Sequence, residues 1–252
     1  MARSALHLVV LVCVVTAGCS VPGPEPTRQE RAVAALDDAT TAVDTAGTYR
    51  FELELRAETT GEGRTETAEG NGSGVVDADA RRMRSTAKRD GEARTTYVLN
   101  RTVYRECADP WGGYGVEELD EDEVWSSQSP LVRQLGLLES GALYYNGTDT
   151  VDGTEATLLT GEPTEQALTQ YRDDGQSPVF GGPNVEDIRL RVWLDPETDR
   201  PVRTELRFRV TEDGESATAR LRTRYSGYGE SVTVELPEKA RTEARELGCP
   251  GE

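Results

Sequence analysis

The sequence predicts an α+β fold: one large antiparallel sheet, apolar on a single face, with short helices to cover that face. Three observations predict it. From Val185 to Pro237 apolar residues alternate with charged ones, broken only by turn signals at 195–199 and 212–214. Period-two alternation makes a strand with one dry face and one wet face. Asp-Pro and Asp-Gly punctuation joins such strands as antiparallel neighbours. The same alternation recurs at Tyr49, Phe51, Leu53, Leu55 and Ala57. An amphipathic helical stripe precedes it, and no second set of apolar strands is present to make a sandwich.

The chain begins with a short positive segment, Met1-Ala2-Arg3, and an apolar run from Leu6 to Val15 that is too short to span a bilayer. Thr16-Ala17-Gly18-Cys19 then resembles a lipobox. That resemblance implies lipidation of Cys19 and removal of everything before it; the alternative is an ordinary secretory signal with a chance cysteine. Prolines at 22, 24 and 26 make a stiff spacer. The expected division is a signal at 1–18, a lipidated cysteine and tether at 19–26, and one domain at 27–252. The expected location is extracytoplasmic, held to the outer face of the cell membrane by lipid.

Thr27-Arg28-Gln29-Glu30 has the form of a capping box, so a helix is expected from there to about Thr45, with Val33, Leu36, Thr40 and Val43 as its stripe, flanked by Ala32, Ala39 and Ala46, whose small size lets it sit close against a sheet. Gly47 ends it. Strands follow over Tyr49–Ala57, Arg64–Val76, Ala80–Lys88, Thr95–Leu99 and Thr102–Glu106. Gly70, Gly72 and Gly74 let the second of these bend. The glycine- and acid-rich stretch Ala108–Gln128 reads as a long loop. Ser129-Pro130 opens a short helix with the stripe Leu131, Leu135 and Leu138. A hairpin turns at Asp152-Gly153, a third helix is expected over Pro163–Asp173, and the tail after Pro237 is expected to be helical or frayed.

Composition narrows the function. Net charge is −18, with 46 acidic against 28 basic residues, and Lys88 and Lys239 are the sole lysines. Such a surface stays hydrated in concentrated salt, where screening removes its self-repulsion. It lacks the basic face that nucleic-acid binding needs. The single histidine, His7, lies in the signal, so the domain has no histidine for a catalytic triad or a metal site. The run Asp120–Glu123 lacks the ligand spacing of a calcium loop and reads as a solvated acidic segment. No placed carboxylate pair stands out, so no catalysis and no cofactor are expected. Cys107 and Cys249 remain once the signal and Cys19 are set aside; outside the cell they are expected to pair, two free thiols being the alternative. Asn71, Asn100 and Asn146 begin N-x-S/T sequons and are glycosylation candidates in an exported chain.

Val192-Trp193-Leu194-Asp195-Pro196-Glu197-Thr198-Asp199-Arg200-Pro201-Val202 resembles a hairpin of LolA-like lipoprotein carriers, of which the lipobox fits the lipidated LppX/LprG side, here in a halophilic archaeal surface-lipoprotein form. The resemblance implies a strongly curved open half-barrel, its concave side covered by the N-terminal helix and inserted helices, with an apolar cavity there. The ligand-cavity candidates are Phe51, Leu53, Leu55, Leu190, Val192, Leu206, Phe208 and Leu221. The expected function is a non-catalytic, membrane-tethered lipoprotein that binds or carries a lipid or other apolar ligand. The alternative is a surface module with a solid core that binds a protein partner through Trp111, Tyr114 and Trp125 or through Phe180.

Overall fold

The computed structural model describes residues 26–61, 63–89, 91–119, 125–168, 185–212, 215–246 and 248–250. The expected signal, Cys19 and Phe180 lie outside the described residues.

Eleven strands form one antiparallel sheet. In chain order they are β1 (Thr48–Gly61), β2 (Arg64–Asp77), β3 (Arg82–Arg89), β4 (Glu92–Leu99), β5 (Thr102–Glu106), β6 (Tyr114–Glu118), β7 (Ala142–Val151), β8 (Thr154–Glu162), β9 (Val185–Leu194), β10 (Pro201–Glu212) and β11 (Glu215–Ser226). Their spatial order is β6-β5-β4-β3-β2-β1-β11-β10-β9-β8-β7. Each strand pairs with its neighbour in sequence, except that β1 joins β11 and that β6 and β7 stay apart. The sheet is therefore a meander bent toward a barrel and left open between β6 and β7. The connection across that opening carries α2 (Pro130–Glu139). This is the expected open half-barrel, with helices on its concave side.

Rows of directly opposed residues share a face. One inward row runs Leu143, Gly161, Leu190, Leu206, Leu221, Leu55, Gly70. The next runs Tyr145, Leu159, Val192, Thr204, Thr223, Leu53, Gly72. The three glycines of β2 thus stand opposite the large inward residues of β1. A Cβ on Gly72 would meet the Thr86 carbonyl oxygen at 2.9 Å, and one on Gly74 would meet that of Arg84 at 2.6 Å and run into the Phe51 ring. The backbones and ring close up where side chains are missing.

Both open edges are blunted by the ends of the chain, as an exposed edge requires. Residues before α1 (Glu30–Ala46) lie along β7: Gln29 donates its amide to the Leu143 carbonyl, and Leu143 donates to Thr27. At β6, Val116 donates to the Arg245 carbonyl, and Arg245 donates to Tyr114. The tail first crosses the convex face of β2–β6, where Val234, Leu236 and Ala240 cover Tyr97, with Val75, Leu99, Tyr104 and Tyr114 around them. A short helix, α3 (Glu238–Glu243), follows. The Cys107–Cys249 disulfide then pins the strap.

Four expectations need correction. The helix begins at Glu30 with Gln29 as N-cap and no side-chain cap bond, so Thr27 does not form a capping box; Thr27 is instead held by its carbonyl on β7. The buried stripe of α1 is Ala32, Leu36, Ala39 and Val43, its small residues allowing close approach. Tyr114–Glu118 is a strand, since β5 offers it an edge that local sequence does not announce. The meander ends at Ser226 rather than Pro237, and residues 227–237 run as an irregular strap. Of the expected third helix, residues 165–168 form a helical turn and 169–173 lie outside the described residues.

Candidate ligand face

Helix α2 crosses the concave face from β1 to β8. Ser129 caps it by accepting from the Val132 amide, and its hydroxyl bonds the Tyr49 hydroxyl on β1. Burial raises the Tyr49 pKa far above the ordinary tyrosine value despite that bond, so this anchor stays neutral. Midway, Gln134 accepts a hydrogen bond from the Tyr225 hydroxyl of β11 at 3.2 Å. At the far end Leu138 sits directly on Gly161 of β8. Ten residues of helix span about 15 Å, and the side chains at its two ends cover the rest of the roughly 19 Å from β1 to β8. The Arg28 guanidinium holds the C-terminal end, donating to the carbonyls of Leu138 at 2.8 Å, Glu139 at 3.1 Å and Gly141 at 3.0 Å. That satisfies carbonyls a helix end leaves open.

The eight cavity candidates fall into two groups. Phe51, Leu190, Val192, Leu206 and Phe208 are buried in the main core with Leu36, Val43, Leu131 and Leu135 of the helices. Leu53, Leu55 and Leu221 are half-buried. Leu53 and Leu55 are successive inward residues of β1, and Leu221 is the direct partner of Leu55. Ala57 and Val210 continue this half-buried patch. The concave face is thus closed where the helices lie and apolar but partly open farther along β1, β10 and β11.

A polar cluster marks the border between the two zones. Thr204 and Tyr225 share a hydroxyl–hydroxyl bond of 3.3 Å, and Tyr225 bonds Gln134. Thr223 is the cross-strand partner of Thr204 on one side and of Leu53 on the other. Gln134 and Thr204 are fully buried and Thr223 nearly so. Among the described residues, Gln134 Nε2 and Thr223 Oγ1 are buried and lack hydrogen-bond partners. The other atoms in that condition, Arg203 Nε and Arg222 Nε, belong to guanidiniums whose Nη2 atoms pair with Asp152 and Glu205.

The convex face is a lattice of ion pairs. Glu205 on β10, buried to 5% side-chain exposure, accepts from Arg207 at 2.7 Å and Arg222 at 3.0 Å, with Arg220 at 4.0 Å. Burial pushes its pKa up, but the three guanidiniums more than offset that and hold it below the ordinary carboxylate value. A groove of about 520 Å³ opens there, lined by Glu162, Asp187, Ile188, Arg189, Arg191 and Arg207. A second, of about 440 Å³, lies beside Asp152, Glu155 and Arg224. Both are walled by charges, and neither suits an apolar ligand.

The aromatic loop set does not assemble. Trp111 is 56% exposed, whereas Tyr114 packs on the strap cluster and Trp125 on the main core. Asn71, Asn100 and Asn146 are all exposed. Sequence reasoning missed Gln134, Thr204, Thr223 and Tyr225 as a group. Two threonines in step with apolar inward residues, Thr204 and Thr223, were the available signal.

No protein-family model and no curated protein matches the chain. Among solved structures it is similar to the lipoprotein LppX of Mycobacterium tuberculosis, with 16% identity over 81% of this chain and 98% of that one, at a TM-score of 0.45. It is similar to LprF from Mycobacterium bovis, with 16% identity over 84% and 99% of the two chains, at a TM-score of 0.48. It is also similar to a LolA superfamily protein from Nitrosomonas europaea, with 9% identity over 84% and 97%, at a TM-score of 0.31. The likeness is one of layout, and no function follows from it.

Proposed function

We propose that this protein is a membrane-tethered extracytoplasmic lipoprotein that binds or carries a lipid or other apolar ligand on the concave face of its half-barrel, without catalysing a reaction on it. The observation that carries the reading is the half-buried strip Leu53, Leu55, Ala57, Val210 and Leu221, which continues the buried core rows beyond the reach of α1 and α2. Apolar surface left partly in water on a concave wall is stabilised by an apolar occupant, at about 25 cal/mol per Å² covered. Lipidation of Cys19 would hold the domain at the membrane surface, and glycans on Asn71, Asn100 or Asn146 would sit on exposed positions. The partners are then the membrane surface and the ligand.

Binding of an uncharged fluorescent lipid to the full chain tests this. Leu55→Glu and Leu221→Glu, which place charge on the strip, are expected to abolish binding while preserving the folded circular-dichroism spectrum. Unchanged binding in both variants would sink the reading. Trp111 favours a second one, a protein partner docking at that loop, because it is a large apolar side chain left in water. A photo-cross-linker at position 111 in living cells would capture such a partner.

A further inference from the structure

We infer that the ligand of the concave face is a neutral lipid whose ester or amide carbonyl is received by Gln134 Nε2 and Thr223 Oγ1. This rests on the ligand-binding reading above and specifies its chemistry. The polar cluster has a direction. If Tyr225 donates to the Gln134 carboxamide oxygen, its own oxygen accepts from Thr204. The chain of bonds then ends on the two N–H donors of Gln134, and Thr223, the cross-strand partner of Thr204 on the same face, adds an unused hydroxyl. A buried donor without an acceptor is costly, and natural cores seldom keep two in one place. What the cluster lacks is an acceptor.

Its position says where the acceptor comes from. Thr223 is the direct cross-strand partner of Leu53 and lies two residues from Leu221 on the same face. Leu53 and Leu221 belong to the half-open strip, so the donors stand where the strip meets the helix-covered core. A chain lying along Leu55, Leu221 and Leu53 would bring its polar end to Thr223 and, beneath α2, to Gln134. The cluster also says what the acceptor is not. Gln134, Tyr225, Thr204, Thr223, Tyr49 and Ser129 are all uncharged. A carboxylate or phosphate drawn in among them would lose its water among uncharged groups. A neutral carbonyl suits uncharged donors.

The test compares methyl palmitate with hexadecane, two chains differing by an ester, as competitors for a bound uncharged fluorescent hydrocarbon on the full chain. The wild type is expected to bind methyl palmitate at least tenfold tighter than hexadecane. In Thr223→Val and in Gln134→Leu/Thr223→Val that preference is expected to fall to within about twofold, through weaker binding of methyl palmitate. Thr223→Val is nearly isosteric, so it keeps the test open if the double variant fails to fold. Equal binding of both probes by the wild type, or a preference that survives in the variants, would overturn the inference while leaving the concave ligand site standing. Binding of neither probe would overturn both.

Discussion

The ring of Phe51 on β1 lies against the bare backbone of Gly74 on β2, where a Cβ would meet both the ring and the Arg84 carbonyl oxygen of β3, the latter at 2.6 Å. Three strands converge on one missing side chain of the concave face. Gly74→Ala is expected to lower stability by about 1–3 kcal/mol, because neither the carbonyl nor the buried ring has room to yield. Gly136→Ala is expected to do the reverse. Gly136 is an exposed residue of α2 with nothing within 4 Å of an added Cβ, so alanine should add about 0.4–1 kcal/mol. Urea midpoints of the two variants check the opposite signs.

The strap is held by one covalent bond and one apolar patch. The Cys107–Cys249 link closes a loop with a sequence separation of 142 residues, so removing it with Cys107→Ala/Cys249→Ala is expected to cost about 4–5 kcal/mol at most on the chain-entropy model. Hydrogen exchange localises the effect. Amides of Val116 and Arg245, which tie the strap to β6, should lose protection well before those of β10 and β11.

Glu205 gives the fold an acid limb. Its folded pKa lies below the ordinary glutamate value of 4.5. Its contribution is therefore complete above pH 4.5 and is lost as the pH falls through the lower folded value. Glu205→Gln is expected to cost about 2 kcal/mol at neutral pH, leaving three guanidiniums without their shared acceptor. It should also flatten the stability profile below pH 4.5. Thermal melts of both proteins between pH 3 and 7 check this, and parallel acid limbs would contradict it.

Much of the sheet was legible in the sequence because alternation and turn chemistry are local. The hairpins at Asn100-Arg101, Asp152-Gly153 and Asp195–Asp199 needed no tertiary information, and neither did the Ser129-Pro130 start of α2. The pairing of β1 with β11 joins strands at opposite ends of the chain, and only the shared apolar face hinted at it. Strand β6 was illegible, since Tyr114–Glu118 is extended because β5 and Arg245 flank it. The ligand face was half legible. Inward positions followed from parity, but which of them the helices cover depends on how far α2 reaches, and that is fixed by Tyr49, Tyr225 and Gly161 together. The unsatisfied donors depend on three elements meeting, and no single stretch carries them.

The central claim is that an apolar molecule occupies the concave face. Native mass spectrometry of the full chain carrying Cys19→Ser, purified from the host that makes it, tests this most directly. The account predicts a second species, heavier by the mass of one lipid, that disappears on organic extraction and in the Leu55→Glu variant. A single species at the mass of the bare chain, with no uptake of added lipid, would contradict it.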